Sequence, residues 1–327
     1  MTTPAKKFKR MLRRPFEWLG IGLGLAILSN LPRRAMLGLC DFVSSVMYRF
    51  DAKGRRHAEE NLDAIFGKGA LSAFARERII RRSYRNMARS VGHAFWTCRN
   101  AVARAKASGE ISSEVHAFLS ANRPAVTVSG HIGCWEILSQ LAYLEGHRMM
   151  SVAKDIGSPA MTRLLMKARM SIGQEIVHAD GAFRALMAGL KAGKSLGLLV
   201  DQAVRPSDGG VWVRFFGHPM PVSVAPAFFA AKGKAPVIVA WSRPLRDGRY
   251  RCELVSSYSH DEVRDIWGFT QRCLGDIERV IRRHPSCWAL NYNAFRKKPR
   301  PEELAELEKR EAAAGMRAAR ADVEKAG

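Results

Sequence analysis

The residues best suited to chemistry lie in Val126-Thr-Val-Ser-Gly-His131-Ile-Gly-Cys-Trp-Glu136. A short β-branched run ends in Ser-Gly, presents a histidine, passes a second glycine and reaches a carboxylate at the head of an apolar helical stretch. His131 and Glu136 are five residues apart, off the i,i+4 spacing at which side chains face each other in one helix. Gly133 therefore leaves His131 in the turn and puts Glu136 in the first helical turn, where the helix dipole favours a carboxylate. From there Glu136 can accept a hydrogen bond from one imidazole nitrogen and leave the other to take a proton. A hydroxyl is almost un-ionised at neutral pH and must lose its proton as it attacks, so a base with an orienting acid suits transfer chemistry on an alcohol. The same helix end offers backbone N–H groups to an oxyanion or a phosphate. A lone His–Glu pair is also a common structural feature, so its context matters.

The elements that must hold this turn follow from the texture of the chain. Residues 35–50 read as an apolar helix and 71–97 as a long amphipathic, arginine-rich one. From about 125, short β runs alternate with helices. Strands are predicted near 125–129, 149–153, 196–201, 211–215, 236–241 and 250–255. Helices are predicted at about 135–145, 158–172, 181–192, 222–232 and 262–283. Such alternation predicts an α/β fold, a mixed central sheet flanked by helices. The expected organisation is a basic, apolar membrane-anchor segment over 1–34, a helical region over 35–100, an α/β catalytic domain over 101–300, and a charged C-terminal helix or tail over 301–327.

The 327 residues carry a net charge of +23. That excess points to an anionic partner: nucleic acid, anionic lipid or an acidic carrier protein. The six cysteines are scattered without a CxxC pair, which favours a reducing compartment over a disulfide framework. No zinc-ligand spacing is present, and His131-x2-Cys134 alone is a weak metal signal, so no metal is expected. At the N-terminus, Lys6, Lys7, Lys9, Arg10, Arg13 and Arg14 precede the apolar run Trp18 to Leu28. The run lacks a small-x-small cleavage site and continues into Leu31-Pro-Arg-Arg. It reads as an uncleaved helical arm that lies in the membrane interface or spans it marginally, with the basic residues on anionic headgroups. A helix buried in the core is the alternative.

The full pattern Ser-Gly-His-Ile-Gly-Cys-Trp-Glu resembles the His-x4-Asp/Glu motif of the glycerolipid acyltransferase superfamily, closest to the late acyltransferases of lipid A biosynthesis. Leu198-Leu-Val-Asp201-Gln202, with Gly209 to Gly217, resembles a second block of that family, and Ala225 to Val239 a third. Asn61-Leu-Asp-Ala-Ile-Phe66 is similar to its N-terminal element, and Ile281-Arg-Arg-His-Pro285 with Trp288 to its C-terminal block. The resemblance implies His131 as general base and Glu136 as its partner. It also implies substrate-binding roles for Arg169, Asp201, Gln202, Lys154 and Arg296, with Phe215-Phe216-Gly217 helping to shape the site. Two departures stand out. The family's basic C-terminal sequence reads Trp288-Ala-Leu-Asn-Tyr-Asn-Ala-Phe-Arg296 here, and Lys154 stands where the family has an arginine, a change that alters phosphate recognition.

The resemblance implies O-acyl transfer from acyl-carrier protein to a hydroxyl of a lipid A precursor or related anionic glycolipid. The setting would be the cytoplasmic face of the inner membrane, with no cofactor. Another phospholipid or glycolipid acceptor is the nearest alternative. A second mechanism would make Cys134 an acyl-accepting nucleophile. A basic nucleic-acid-binding protein fits the charge, but no finger or RNA-recognition motif is visible, so no nucleic acid is expected.

Overall fold

The computed structural model of the protein describes residues 22–24, 26–153, 162, 163, 166, 170–179 and 181–326. Most of the segment 1–34 and most of the helix expected over 158–172 lie outside these residues. Among the described residues no helix is long and apolar enough to cross a membrane. Residues 26–30 are helical, and the chain just after them is tied to the body: Trp96 Nε1 donates to the Leu31 carbonyl at 2.8 Å and Arg104 to that of Ser29 at 2.8 Å.

Helices α1 (Arg33–Phe50), α2 (Ala52–Phe66) and α3 (Ala73–Trp96) open the fold. The two turns between them carry caps the sequence supplies. The Asp51 carboxylate accepts from Gly54 N at 2.8 Å at the start of α2, and the Ser72 hydroxyl from Ala75 N at 3.3 Å at the start of α3. Then come α4 (Ala101–Ser108), β1 (Gly109–Ile111), α5 (Ser113–Ala121), β2 (Val126–Ser129), α6 (Trp135–Leu144), β3 (Met149–Ala153), β4 (Glu175–His178), α7 (Ala182–Lys191) and β5 (Ser195–Leu199). A hairpin, β6 (Gly210–Phe215) and β7 (His218–Ser223), precedes α8 (Ala225–Gly233), β8 (Val237–Pro244), β9 (Tyr250–Tyr258), α9 (Ile266–Arg283) and α10 (Pro301–Ala326).

The main sheet runs β1-β9-β8-β2-β5-β3-β4. It is mixed, because β9 runs antiparallel to β8 while β2 is parallel to both β8 and β5. β2 is buried at every residue, which suits the near-continuous β-branched run Val-Thr-Val. Alternation along β8 shows that both faces are covered. Val237, Val239 and Trp241 join a core with Leu62, Ile80, Leu186, Phe229 and Ile277 from the N-terminal helices, α7, α8 and α9. Ile238 and Ala240 join a second core with Leu119, Ile137 and Leu141 from α5 and α6.

The hairpin stands apart as a two-stranded sheet. Its turn residues, Phe216 and Gly217, have φ of 51° and 80°, the pair of left-handed conformations a two-residue turn between twisted strands requires.

Candidate active site

β2 and β5 are neighbouring parallel strands in the register Ser129↔Leu199. One further ladder bond, Val200 N to the Ser129 carbonyl at 3.0 Å, carries the pairing past the strand ends. His131 and Asp201 each lie two residues beyond those paired ends, so the sheet itself delivers them side by side at the carboxyl ends of its central strands. Sites of α/β sheets lie at that edge.

The contact is close. His131 Nδ1 lies 2.8 Å from Asp201 Oδ1, and His131 N donates to Asp201 Oδ2 at 2.7 Å. An ionised carboxylate only accepts, so the imidazole proton is on Nδ1 and Nε2 carries the lone pair. The Gln202 amide nitrogen stands 3.2 Å from Nε2. The histidine side chain is 21% exposed and that of Asp201 1%, so the base can be reached while its acid cannot. Burial raises the Asp201 carboxyl, but the charge and hydrogen bonds of His131 and the Trp288 indole outweigh it and hold the carboxyl below its usual range.

This geometry corrects two expectations. The carboxylate at Nδ1 is Asp201, not Glu136. Glu136 is buried at the start of α6, and its Oε1 accepts from Trp135 Nε1 at 3.0 Å. The Trp135 ring in turn lies 4.9 Å from the imidazole, tilted by 60°. Asp201, expected against substrate, instead sits behind the imidazole, because both of its oxygens are engaged and it is closed to solvent.

The loop holding His131 is braced on two sides. Gly133 has φ +64°, and a Cβ there would stand 1.8 Å from the Ser242 carbonyl oxygen, so this position requires glycine. The buried Ser242 hydroxyl accepts from Cys134 N at 2.9 Å and donates to the Cys134 carbonyl at 2.6 Å. On the other side runs the strap 286–292. Gly133 N donates to the Cys287 carbonyl at 2.8 Å, and Ala289 N to that of His131 at 3.1 Å. Trp288 Nε1 donates to Asp201 Oδ2 at 2.8 Å. Its ring packs against Phe215 and Phe216 at the hairpin tip, with centroids 5.6 and 6.0 Å away. The N-terminal helices hold the same strap. Asn61 Nδ2 donates to the Leu290 and Tyr292 carbonyls at 2.8 and 2.7 Å, Ser83 to that of Trp288 at 2.6 Å, and Asn86 to that of Ser286 at 2.8 Å.

The roles of Trp288, Ser242 and Asn61 were not read from the sequence. Asn61, Trp288 and the Phe215-Phe216 pair fell inside motifs quoted above without a contact to explain them, and nothing in the local pattern marks Ser242. Of the remaining expected residues, Lys154 and Arg169 lie outside the described residues. Arg296 is placed elsewhere. Its guanidinium lies 5.4 Å from the Tyr292 ring, and it lines a cavity of about 750 Å³ with Asn61, Lys68, His218 and Lys298 that none of His131, Asp201 and Gln202 borders. Cys134 is fully buried and its thiol is pushed up to about 12 by that burial. Among the described residues no group of His, Cys, Asp and Glu could hold a metal ion.

A partly exposed imidazole with one tautomer fixed by a buried carboxylate, at the head of a helix with no side-chain cap, is equipped to take a proton from a hydroxyl and return it to a leaving group. No curated protein matches the chain closely enough to count as a relative. The family model described as bacterial lipid A biosynthesis acyltransferase matches residues 3–297. That span covers most of the 327 residues and includes His131, Asp201 and the strap that joins them, and the chain belongs to the bacterial lipid A biosynthesis acyltransferases.

Proposed function

We propose that this acyltransferase moves a fatty acyl group from the thioester of acyl-carrier protein to a hydroxyl of a lipid A precursor or related anionic glycolipid. The reaction takes place at the cytoplasmic face of the inner membrane. The observation that carries the mechanism is the His131–Asp201 pair, with Nδ1 committed to the carboxylate, Nε2 facing the Gln202 amide and the imidazole partly exposed. The acceptor hydroxyl oxygen attacks the thioester carbonyl carbon while Nε2 takes its proton. Asp201 supports the imidazolium that forms beside the tetrahedral intermediate. Collapse breaks the carbon–sulfur bond, and the imidazolium returns its proton to the leaving thiolate. Gln202 holds the lone-pair side until the hydroxyl takes its place.

The net charge of +23 supports an acidic donor and a phosphorylated acceptor, and the basic apolar N-terminus supports residence at the membrane. Lys154 and Arg169 are assigned to acceptor phosphates by resemblance to the family, whereas Arg296, which lines a separate cavity, is not. The covalent alternative through Cys134 is disfavoured, since a closed-off thiol raised to about 12 supplies almost no thiolate.

The test is acyl transfer from purified acyl-carrier-protein thioesters to lipid A precursors, followed by mass spectrometry of the lipid. Wild type should yield a product one acyl chain heavier, and His131→Ala should not. Equal yield with His131→Ala would remove the imidazole from the mechanism. Acylation confined to other phospholipids would move the assignment to a different acceptor.

A further inference from the structure

Helix α1 carries two apolar faces, and the described fold covers only one. Met36, Cys40 and Ser44 are buried against α3. Leu39, Phe42, Val43, Val46, Met47 and Phe50 form a separate stripe at the i, i+3, i+4, i+7, i+8 and i+11 positions of one helical face. Phe42 is 67% and Phe50 80% exposed, and Val43, Val46 and Met47 are exposed with them. Leu23 and Ile27, just ahead of Pro32, add further exposed apolar surface. A patch of this kind on a structured helix marks contact with a second apolar medium.

The charges around the stripe say which medium. The one acid within 33–50 is Asp41, and both its oxygens are held by Arg89 at 2.7 Å. Arg34 lies at one end of the helix, and Arg49 and Lys53 lie at the other, all exposed. Burial against a second copy of the chain would bring like charges together: a parallel pairing sets Arg34 against Arg34, and an antiparallel pairing sets Arg34 against Arg49. An anionic bilayer meets both ends with phosphates and the stripe with acyl chains.

We propose that this face of α1 is an interfacial docking surface for an anionic lipid bilayer. Phe42, Val46 and Phe50 enter the headgroup–acyl boundary, and Arg34, Arg49 and Lys53 lie on the phosphates. The proposal rests on the membrane part of the reading above, not on its chemistry.

The test is co-sedimentation of the full-length chain with vesicles of phosphatidylethanolamine and phosphatidylglycerol, and separately with phosphatidylcholine vesicles. The variant F42S/V46S/F50S changes exposed positions, so its melting temperature should stay at the wild-type value. Its partition coefficient on anionic vesicles should fall by at least ~10-fold, since each side chain loses part of its transfer from water. The N-terminal run acts on the same partition coefficient, so the loss shows with that run present. R49E/K53E should weaken binding to anionic vesicles and leave the weaker phosphatidylcholine binding unchanged. Wild-type binding with an unchanged triple variant would overturn the docking face and leave the membrane reading standing. Absence of wild-type binding to any vesicle would overturn both. A wild-type dimer in analytical ultracentrifugation that the triple variant dissolves, with partitioning unchanged, would assign the stripe to a second copy instead.

Discussion

Asp201 and Glu136 are the two carboxylates that could orient His131, and they make opposite demands on experiment. Asp201 accepts from the imidazole, so Asp201→Asn should put the wrong tautomer on the ring and cut kcat by ~10²–10⁴-fold. Glu136 accepts from the Trp135 indole and is not the carboxylate at Nδ1, so Glu136→Gln, which can still accept that hydrogen bond, should cost less than Asp201→Asn. Steady-state kinetics of the two variants separates the readings, and a reversed ranking would return the orienting role to Glu136. Acid stability gives a second check. The Asp201 carboxyl is held below its usual value in the fold, so the unfolded chain binds that proton first as pH falls. Its contribution is therefore full above the ordinary aspartate pKa of ~3.9 and is lost as pH falls through the lower folded value. Unfolding curves of Asp201→Asn should lack that part of the acid slope. Cys134→Ala should keep folded structure and most turnover, whereas a folded but inactive protein would revive the covalent route.

Among the elements, the strands around the site were legible because β-branched and apolar runs declare themselves. The sequence reading over 125–129 and 236–241 meets strands at Val126–Ser129 and Val237–Pro244. Three strands escaped it for physical reasons. β1 has three residues, one of them glycine, β4 has only four and opens on a glutamate, and β7 carries two prolines, features that weaken a strand signal. The pairing of His131 with Asp201 escaped for a different reason. It depends on which strands are neighbours and in what register, and spacing along the chain reports only local partners such as Glu136. The strap 286–292 is non-local in the same way, since Asn61 reaches it across more than two hundred residues. Asn61→Ala would leave two strap carbonyls without their donor, costing roughly 1–3 kcal/mol of stability. It should also lower kcat by loosening Trp288 on Asp201. Thermal melts and kinetics on the same preparation check both, and a normal kcat with a lowered melting temperature would make the strap purely structural. Gly133→Ala should be harsher, because the strain of a positive φ, roughly 1–3 kcal/mol, is compounded by overlap with the Ser242 carbonyl. Its measure is a drop in melting temperature together with lost activity.

On the scale of the whole molecule, the net charge of +23 acts over distances much longer than the His131–Asp201 contact. Exposed charges are screened over ~8 Å at physiological ionic strength, so an encounter steered by them weakens as salt is added. The hydrogen bond of His131 Nδ1 to Asp201 ends on a carboxylate closed to solvent and is therefore little affected by added salt. If the basic surface recruits an acidic carrier protein, raising salt should lift the donor KM steeply and leave kcat nearly unchanged. Acyl-coenzyme A is anionic too, but it is smaller and touches less of the surface, so its KM should respond less. Arg82 and Arg246 are exposed and hydrogen-bond to neither His131 nor Asp201, so Arg82→Glu with Arg246→Glu should harm the carrier-dependent reaction more than the coenzyme-dependent one. Equal efficiency with both donors, and an equal loss for each in that variant, would show that the surface does not read the carrier. The positive charge would then belong with the bilayer, where it would act on partitioning and leave the donor KM untouched.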